Sequence, residues 1–357
     1  MTKKHTLEDI LAQKLRDPKT VFLLGGGTSF CAGLPSIFQL LDLVRSRLND
    51  ASTSTLDEII QYLADNGLEN PNTEDVLSEL YHRLTRSGGT GVGHRNKERF
   101  KATFEDICQC IQNILNVDAP TEYHMDFVRR IVSRREAEPA EKAPPIQIFT
   151  TNYDLLIELA CEDTHTCAIN GFEGFFNRQW NPCCFDYDIG KSTAHAQTPR
   201  FEPSARHIRL YKLHGSISWF ETHGRFYEEK PSLESKRTQL IIYPSRLKYA
   251  ESIRPPFDWL FRRFGAAVSD ANLLICIGYR FADEHLNQYI FTGLDKGLSL
   301  LALSREPIDA LACKSTHPRV SVINEERTII DGNDQSEITD LWAFEKFTKW
   351  IPALRGN

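Results

Sequence analysis

The chain has 357 residues, 41% hydrophobic and 25% charged, with a formal net charge of −6. This is the make-up of a globular protein with room for a sizeable core, in one large domain or two. The acidic balance argues against nucleic-acid binding as the main task, and no run of about 18 apolar residues offers a membrane span.

The opening stretch MTKKHTLEDILAQKL is too charged for a signal peptide, so a cytoplasmic location is expected. Nine cysteines, at 31, 108, 110, 161, 167, 183, 184, 276 and 313, form no C-x-x-C pair and fit reduced thiols. Cys183 and Cys184 with His165 or His195 lack the ligand spacing of a structural zinc site, so no zinc is expected.

In chain order, residues 5–19 read as a short amphipathic helix ended by Asp17-Pro18. Val21 to Leu24 is a buried strand, and Gly25, Gly26 and Gly27 follow it with Thr28-Ser29 and then Gly33-Leu34-Pro35-Ser36. Ile37, Leu40, Leu41 and Val44 mark the next helix. Strand, glycine turn and helix together hold phosphates, because glycines admit close approach and a helix N-terminus presents free N–H groups. The spacing is neither G-x-G-x-x-G nor G-K-[ST], and a tight turn without ligand remains the alternative.

Residues 50–135 are helical in pattern, with a capped start near Thr73 and a flexible loop over 87–93. Residues 137–145 form a proline-rich connector. Ile146 to Thr150 is a second strand, followed by Thr151-Asn152-Tyr153-Asp154 and a helix. Residues 161–208, rich in aromatics over 172–187, read as an irregular insert or lid. Further strands are expected over 210–213, 240–243, 273–277, 298–303 and 320–324, with a hairpin around His223-Gly224. Helices are expected over 256–270, 283–294 and 338–352.

The alternation predicts an α/β fold: a Rossmann-like, doubly wound, mainly parallel sheet of about six strands with an added helical module. The whole of 1–357 is read as one domain, with the Rossmann-like core over 18–49 and 146–330, the helical module over 50–140, the insert over 161–208 and a C-terminal helix over 338–352. Ligands of such sheets sit outside the carboxyl ends of the strands, where Ser29, Asn152, Asp154, His214 and Gly278 fall. Asn152 and Asp154 could instead cap the following helix, His214 could be a strand-end histidine satisfied by backbone, and Asp283 with His285 reads best as a helix start.

The ordered set G-G-G-T-S-x3-G-L-P-S (25–36), T-N-Y-D (151–154), K-L-H-G-S (212–216), Y-P-S (243–245) and G-Y-R-F-A-D-E-H-L-N (278–287) resembles the sirtuin-like family, especially its prokaryotic antiphage-defence branch of NAD hydrolases. The resemblance implies an NAD site: Gly25, Gly26, Gly27, Thr28, Ser29, Gly33 and Pro35 at the pyrophosphate, Thr151 and Tyr153 beside Asn152, and Gly278, Tyr279 and Arg280 by the adenine ribose. It implies catalytic roles for Asn152 at the nicotinamide ribose and water, Asp154 at the nicotinamide amide and His214 at the ribose hydroxyls. It further implies NAD as substrate, depleted in antiphage defence, and a homo-oligomer associated with a HerA-type ATPase or another defence-system partner.

The family's deacylases carry two C-x-x-C pairs that this chain lacks, which disfavours deacylation. Nicotinamide leaves neutral from a cationic state, so cleavage needs a fixed ribose, a held nicotinamide and a positioned water rather than a general acid. A histidine with a near-neutral pKa can serve as the base. A non-catalytic NAD or ADP-ribose-binding scaffold in an ATPase complex is the alternative, with a nucleic-acid enzyme behind it.

Overall fold

The computed structural model describes residues 7–86, 92–116, 122–136, 145–192, 201–204, 206–231, 239–241 and 255–351, and the account below concerns these. Helix α1 (Leu7–Leu15) buries Leu11 and Leu15 and leads into β1 (Thr20–Leu24). A 3-10 turn (Gly26–Ala32) follows at once and ends at Gly33, whose φ of 78° suits a residue without Cβ. Next come α2 (Ile37–Arg47), α3 (Asp50–Asp65), α4 (Thr73–Arg86), α5 (Val92–Leu115) and α6 (Glu122–Glu136). Ser36 starts α2 through a capping box with Gln39. The cap of α4 is Asn72, whose Oδ1 accepts from the amides of Glu74 and Asp75, one residue before the expected Thr73.

The chain then runs through β2 (Ile146–Thr150), α7 (Leu156–Asp163), β3 (Cys167–Ile169), β4 (Phe172–Glu173), β5 (Arg178–Trp180), β6 (Gly190–Ser192), β7 (Phe201–Pro203) and β8 (His207–Lys212). After these come β9 (Gly215–Thr222), β10 (Arg225–Glu228), β11 (Gln239–Ile241), α8 (Phe257–Asp270), β12 (Leu273–Ile277), α9 (Glu284–Asp295) and β13 (Ser299–Leu303). The last elements are α10 (Asp309–Ala312), β14 (Val320–Ile323), β15 (Thr328–Ile330), β16 (Asn333–Asp334) and α11 (Phe344–Trp350).

Among the described residues the main sheet has nine strands in the order β16-β15-β14-β13-β12-β1-β2-β8-β3. All pairs from β14 to β3 are parallel, and the β15 and β16 edge is antiparallel. The mainly parallel, doubly wound α/β sheet is therefore as read, but with nine strands rather than six. The additions are short strands, of two or three residues, whose periodicity is too brief to detect.

Alternate residues of each strand serve opposite faces. Val21, Leu23, Phe149, Leu274, Cys276 and Leu300 pack with α8 and α9, and Phe22, Leu24, Ile148, Ile275 and Leu301 pack with α1, α6, α7 and α11. A side chain buried as fully as Leu23 contributes about 1.5–3 kcal/mol. Helix α6 thus covers the sheet, whereas α2 joins α3, α4 and α5 in a separate cluster through Leu40, Leu41 and Val44. The helical unit is accordingly α2 to α5, not residues 50–140 as read from the pattern.

Residues 161–208 are not irregular throughout. β3 extends the main sheet, and β4 and β5 join β10, β9 and β11 in a five-stranded antiparallel sheet. The strand expected over 240–243 belongs to this second sheet, as β11. His223 and Gly224 have φ of 53° and 71°, which makes the expected two-residue hairpin between β9 and β10. The C-terminal helix begins at Phe344 rather than 338, with Ile338 exposed. The Tyr243-Pro244-Ser245 stretch, the loop over 87–91 and most of the connector over 137–145 lie outside the described residues. Among the described residues no single helix is long and apolar enough to cross a membrane.

Candidate functional site

The parallel strands end level. Leu24 is in register with Thr150 and Ile277, Thr150 with Lys212, and Ile277 with Leu303. The loops leaving β1, β2, β8 and β12 therefore start at one height along the sheet's carboxyl edge. The switch in winding direction lies between β1 and β12, where a ligand crevice is expected.

Two of the three glycines after β1 serve protein packing there. Gly25 N–H donates to the Ile277 carbonyl and Gly27 N–H to that of Gly278. A Cβ on Gly25 would lie 2.6 Å from Gly278 O, and one on Gly27 2.6 Å from Gly278 Cα. Gly278, at φ 61°, faces the same contact from the other side, 2.5 Å from Gly27 Cα. Gly26 is exposed and a Cβ there would meet nothing within 4 Å. The open glycine, the one a bound phosphate could approach, is thus the middle one.

The loop after β2 is fastened to this turn. Asn152 Nδ2 donates towards Gly25 O (3.1 Å), Thr28 Oγ1 (3.1 Å) and Ser29 Oγ (3.0 Å). Because the Gly25 carbonyl can only accept, the amide nitrogen must face the turn, which leaves Oδ1 on the other side. Ser29 Oγ donates to Asp154 Oδ2 at 2.7 Å, and Asp154 Oδ1 accepts from the Leu156 amide at 3.1 Å. Asp154 therefore accepts from the first amide of α7 and also binds the glycine turn, although the N-cap position itself is Leu155, and Asn152 makes no such contact with the helix.

Lys212, at the end of β8, is fully buried beneath the same loop. Its Nζ donates to the Asp154 carbonyl, to Tyr153 O at 3.5 Å and to Glu158 Oε1 at 2.8 Å. Burial pushes the Glu158 carboxyl up, and the Lys212 ammonium opposes that push. From behind the turn, His124 of α6 packs against Phe344 with only 1% exposure, and its Nδ1 has no hydrogen-bond partner among the described residues. Burial pushes its pKa down to about 4, opposed by the charge of Asp154 and the backbone at Thr28. The Cys31 thiol, in the same turn, is pushed up to about 12 by burial and so is a poor nucleophile.

His214 follows β8 and is buried, with its ring 6.5 Å from that of Tyr153 and 6.2 Å from that of Phe261. Its Nε2 lies 3.0 Å from Asp283 Oδ2. Asp283 is also the N-cap of α9, its Oδ1 accepting from the amides of His285 and Leu286. Buried Asn287 locks the approach to it: Nδ2 donates to Phe281 O at 2.6 Å, and Oδ1 accepts from Tyr279 OH at 3.3 Å. Phe281 stands at φ 56°, in the region a bulky side chain adopts only under restraint.

Against this geometry stand the comparisons with known proteins. A family model described as a SIR2-like domain matches residues 146–312. That stretch of the chain is similar to a SIR2-like domain. Its matched residues include Asn152, Asp154, His214, Gly278 and Asp283, while the glycine turn lies before them and reaches the site through the contacts of Asn152 and Ser29. Among solved structures, the crystal structure of a Sir2 homologue in complex with NAD is similar at 13% identity and a TM-score of 0.48, over 98% of this chain and 95% of that one. A mutant Sir2 homologue in complex with ADP-ribose is similar at 13% identity and a TM-score of 0.43, over 98% and 99%. No curated protein matches the chain in sequence.

The residues expected from the sequence divide into two groups. Gly25, Gly27, Thr28, Ser29, Asn152, Asp154 and Gly278 form one contiguous network. Thr151 is tied to β1 through its amide and Leu24 O. Gly33 ends the 3-10 turn, and Pro35 is half-buried just before the cap of α2. Tyr279 is buried, and that burial pushes its phenol well above the usual range. Arg280 is exposed and paired with Glu306 at 3.0 Å. Sequence reasoning missed Lys212, Asp283 and Asn287 as parts of the site although all three stand inside quoted motifs, and it gave His124 no role. A charged residue within an apolar strand, as Lys212 is, was the available signal. Among the described residues no group of three or more His, Cys, Asp or Glu side chains could hold a metal ion.

Proposed function

We propose that this chain is an NAD glycohydrolase that cleaves NAD to nicotinamide and ADP-ribose or its cyclic isomer. The observation that carries the reading is the fastening of Asn152 and Asp154 to the glycine turn, with His214 at the next strand end of the same edge. The Sir2 homologues of similar fold were solved with NAD and with ADP-ribose, which makes that dinucleotide the ligand to try first.

In this reading the pyrophosphate rests at Gly26, and Asn152 Oδ1 faces the nicotinamide ribose and the water. Asp154 holds the nicotinamide amide. The bond between C1′ and the nicotinamide nitrogen breaks, and its electron pair leaves with neutral nicotinamide. Water adds to C1′ and gives one proton to His214, which passes it to solvent. Such general-base help is worth about 10²–10⁴-fold. Depletion of NAD in antiphage defence, as a homo-oligomer with a HerA-type ATPase or another defence-system partner, is the biological setting proposed with it.

The test is nicotinamide release from NAD by the purified chain, alone and with candidate activators. Loss of release in His214→Ala and Asn152→Ala, with folding retained, is expected. Release unchanged in both would sink the proposal, and NAD binding without turnover would point to a scaffold.

A further inference from the structure

His214 and Asp283 come from strand ends that are not neighbours: β8 and β12 are separated in the sheet by β2 and β1. Their side chains nonetheless meet, 4% and 3% exposed, with Nε2 of the histidine 3.0 Å from Oδ2 of the carboxylate. The second oxygen is engaged by two amides at 3.0 and 3.3 Å. A carboxylate so placed at a helix N-terminus accepts on both oxygens, so the imidazole must donate. Which ring nitrogen of a histidine carries the proton is set by the hydrogen bond the other ring atom makes, and here the structure names that partner.

We propose that Asp283 fixes His214 as its Nε2–H tautomer, making Nδ1 the nitrogen that takes the proton during turnover. Asp283 is then a positioning residue, and its use as a helix cap is what holds the carboxylate still. Asn287 adds to this, since its own amide donates to Asp283 O at 2.9 Å while its side chain binds Phe281 O. The proton-accepting clause rests on the hydrolase reading; the tautomer clause does not.

Asp283→Asn separates positioning from capping. Asparagine caps helices as well as aspartate does, so α9 keeps its start. It also turns an NH₂ group towards His214, which demands an acceptor at Nε2 and so the other tautomer. Replacing the orienting carboxylate of a His–Asp pair by an amide costs up to about 10⁴-fold in rate where the histidine is a base.

The experiment uses the full chain labelled with ¹⁵N-histidine, with the His214 signal assigned by its loss in His214→Gln. The wild type should show the Nε2–H tautomer and Asp283→Asn the Nδ1–H tautomer, at unchanged melting temperature. Nicotinamide release by Asp283→Asn should fall at least ~100-fold in kcat, with KM within a few-fold, and Asp283→Glu should recover part of it. The acidic limb of its pH–rate profile should move to lower pH, because the imidazolium has lost its anionic partner. An unchanged tautomer in Asp283→Asn, or a changed one with kcat within threefold, would overturn the proposal. If the wild type releases no nicotinamide, the hydrolase reading falls, and the spectra alone still decide whether Asp283 sets the tautomer.

Discussion

Ser29 donates its hydroxyl hydrogen to Asp154 at 2.7 Å, joining the turn after β1 to the loop after β2 across 125 residues of chain. The carboxylate is buried and its other oxygen is occupied by the Leu156 amide. Ser29→Ala should therefore cost about 1–3 kcal/mol, the penalty of a buried acceptor losing a partner. A urea titration reads this directly; a midpoint equal to wild type would mean that water replaces the hydroxyl.

The glycines separate a packing role from a binding role. Gly27→Ala places a Cβ 2.6 Å from Gly278 Cα and should lower the melting temperature by several degrees. Gly26→Ala meets nothing and should melt within a degree or so of wild type, while weakening NAD in a binding titration. Equal NAD affinity in Gly26→Ala and wild type would move the pyrophosphate away from this residue.

Lys212 and Glu158 are a buried pair that also ties down two backbone carbonyls. Lys212→Met leaves the carboxylate unpaired and should cost about 3–5 kcal/mol. Adding Glu158→Gln should return part of that loss. Denaturation of both single variants and the double variant gives the coupling, and additive costs would show that the pair contributes no energy of its own.

His124 gives the fold an acid-sensitive point. An unfolded histidine takes up its proton near pH 6.5, whereas burial pushes the folded His124 down to about 4. Between those values the unfolded chain binds more protons, so stability is full above about pH 6.5 and falls as pH drops towards 4. The ceiling of this effect is about 3 kcal/mol. Urea midpoints at pH 7.5 and 5 should therefore spread less in His124→Gln than in wild type. Equal spreads would assign the acid sensitivity elsewhere.

Much of this was legible in the sequence because the long strands are continuous apolar runs ended by polar or glycine elbows. Thr20–Leu24, Ile146–Thr150 and Leu273–Ile277 need only that pattern. Strands as short as Phe172–Glu173 carry no period to detect, and the partition of Gln239–Ile241 into a second sheet depends on pairing, which a single sequence does not show. At the site, Asn152, Asp154 and His214 were visible as chemistry-bearing residues at strand ends. The pairing of His214 with Asp283 was not, because the helix cap alone already accounted for an aspartate before Glu284. The glycines were visible as a turn, but their packing was not: Gly25 and Gly27 lie against Gly278, a contact between distant segments that a single sequence does not show.

The central position of β1 also sets a schedule for synthesis. Its two neighbours are β2, more than 120 residues later, and β12, roughly 250 residues later. At about 5–20 residues per second, the ribosome delivers β12 some 10–50 s after β1. For that time one edge of an apolar strand has no native partner, and neither Gly278 nor Asp283 exists to meet the glycine turn or His214. The site therefore comes into being only after almost four-fifths of the chain has been made, and a nascent chain stalled before Leu273 should hold no NAD.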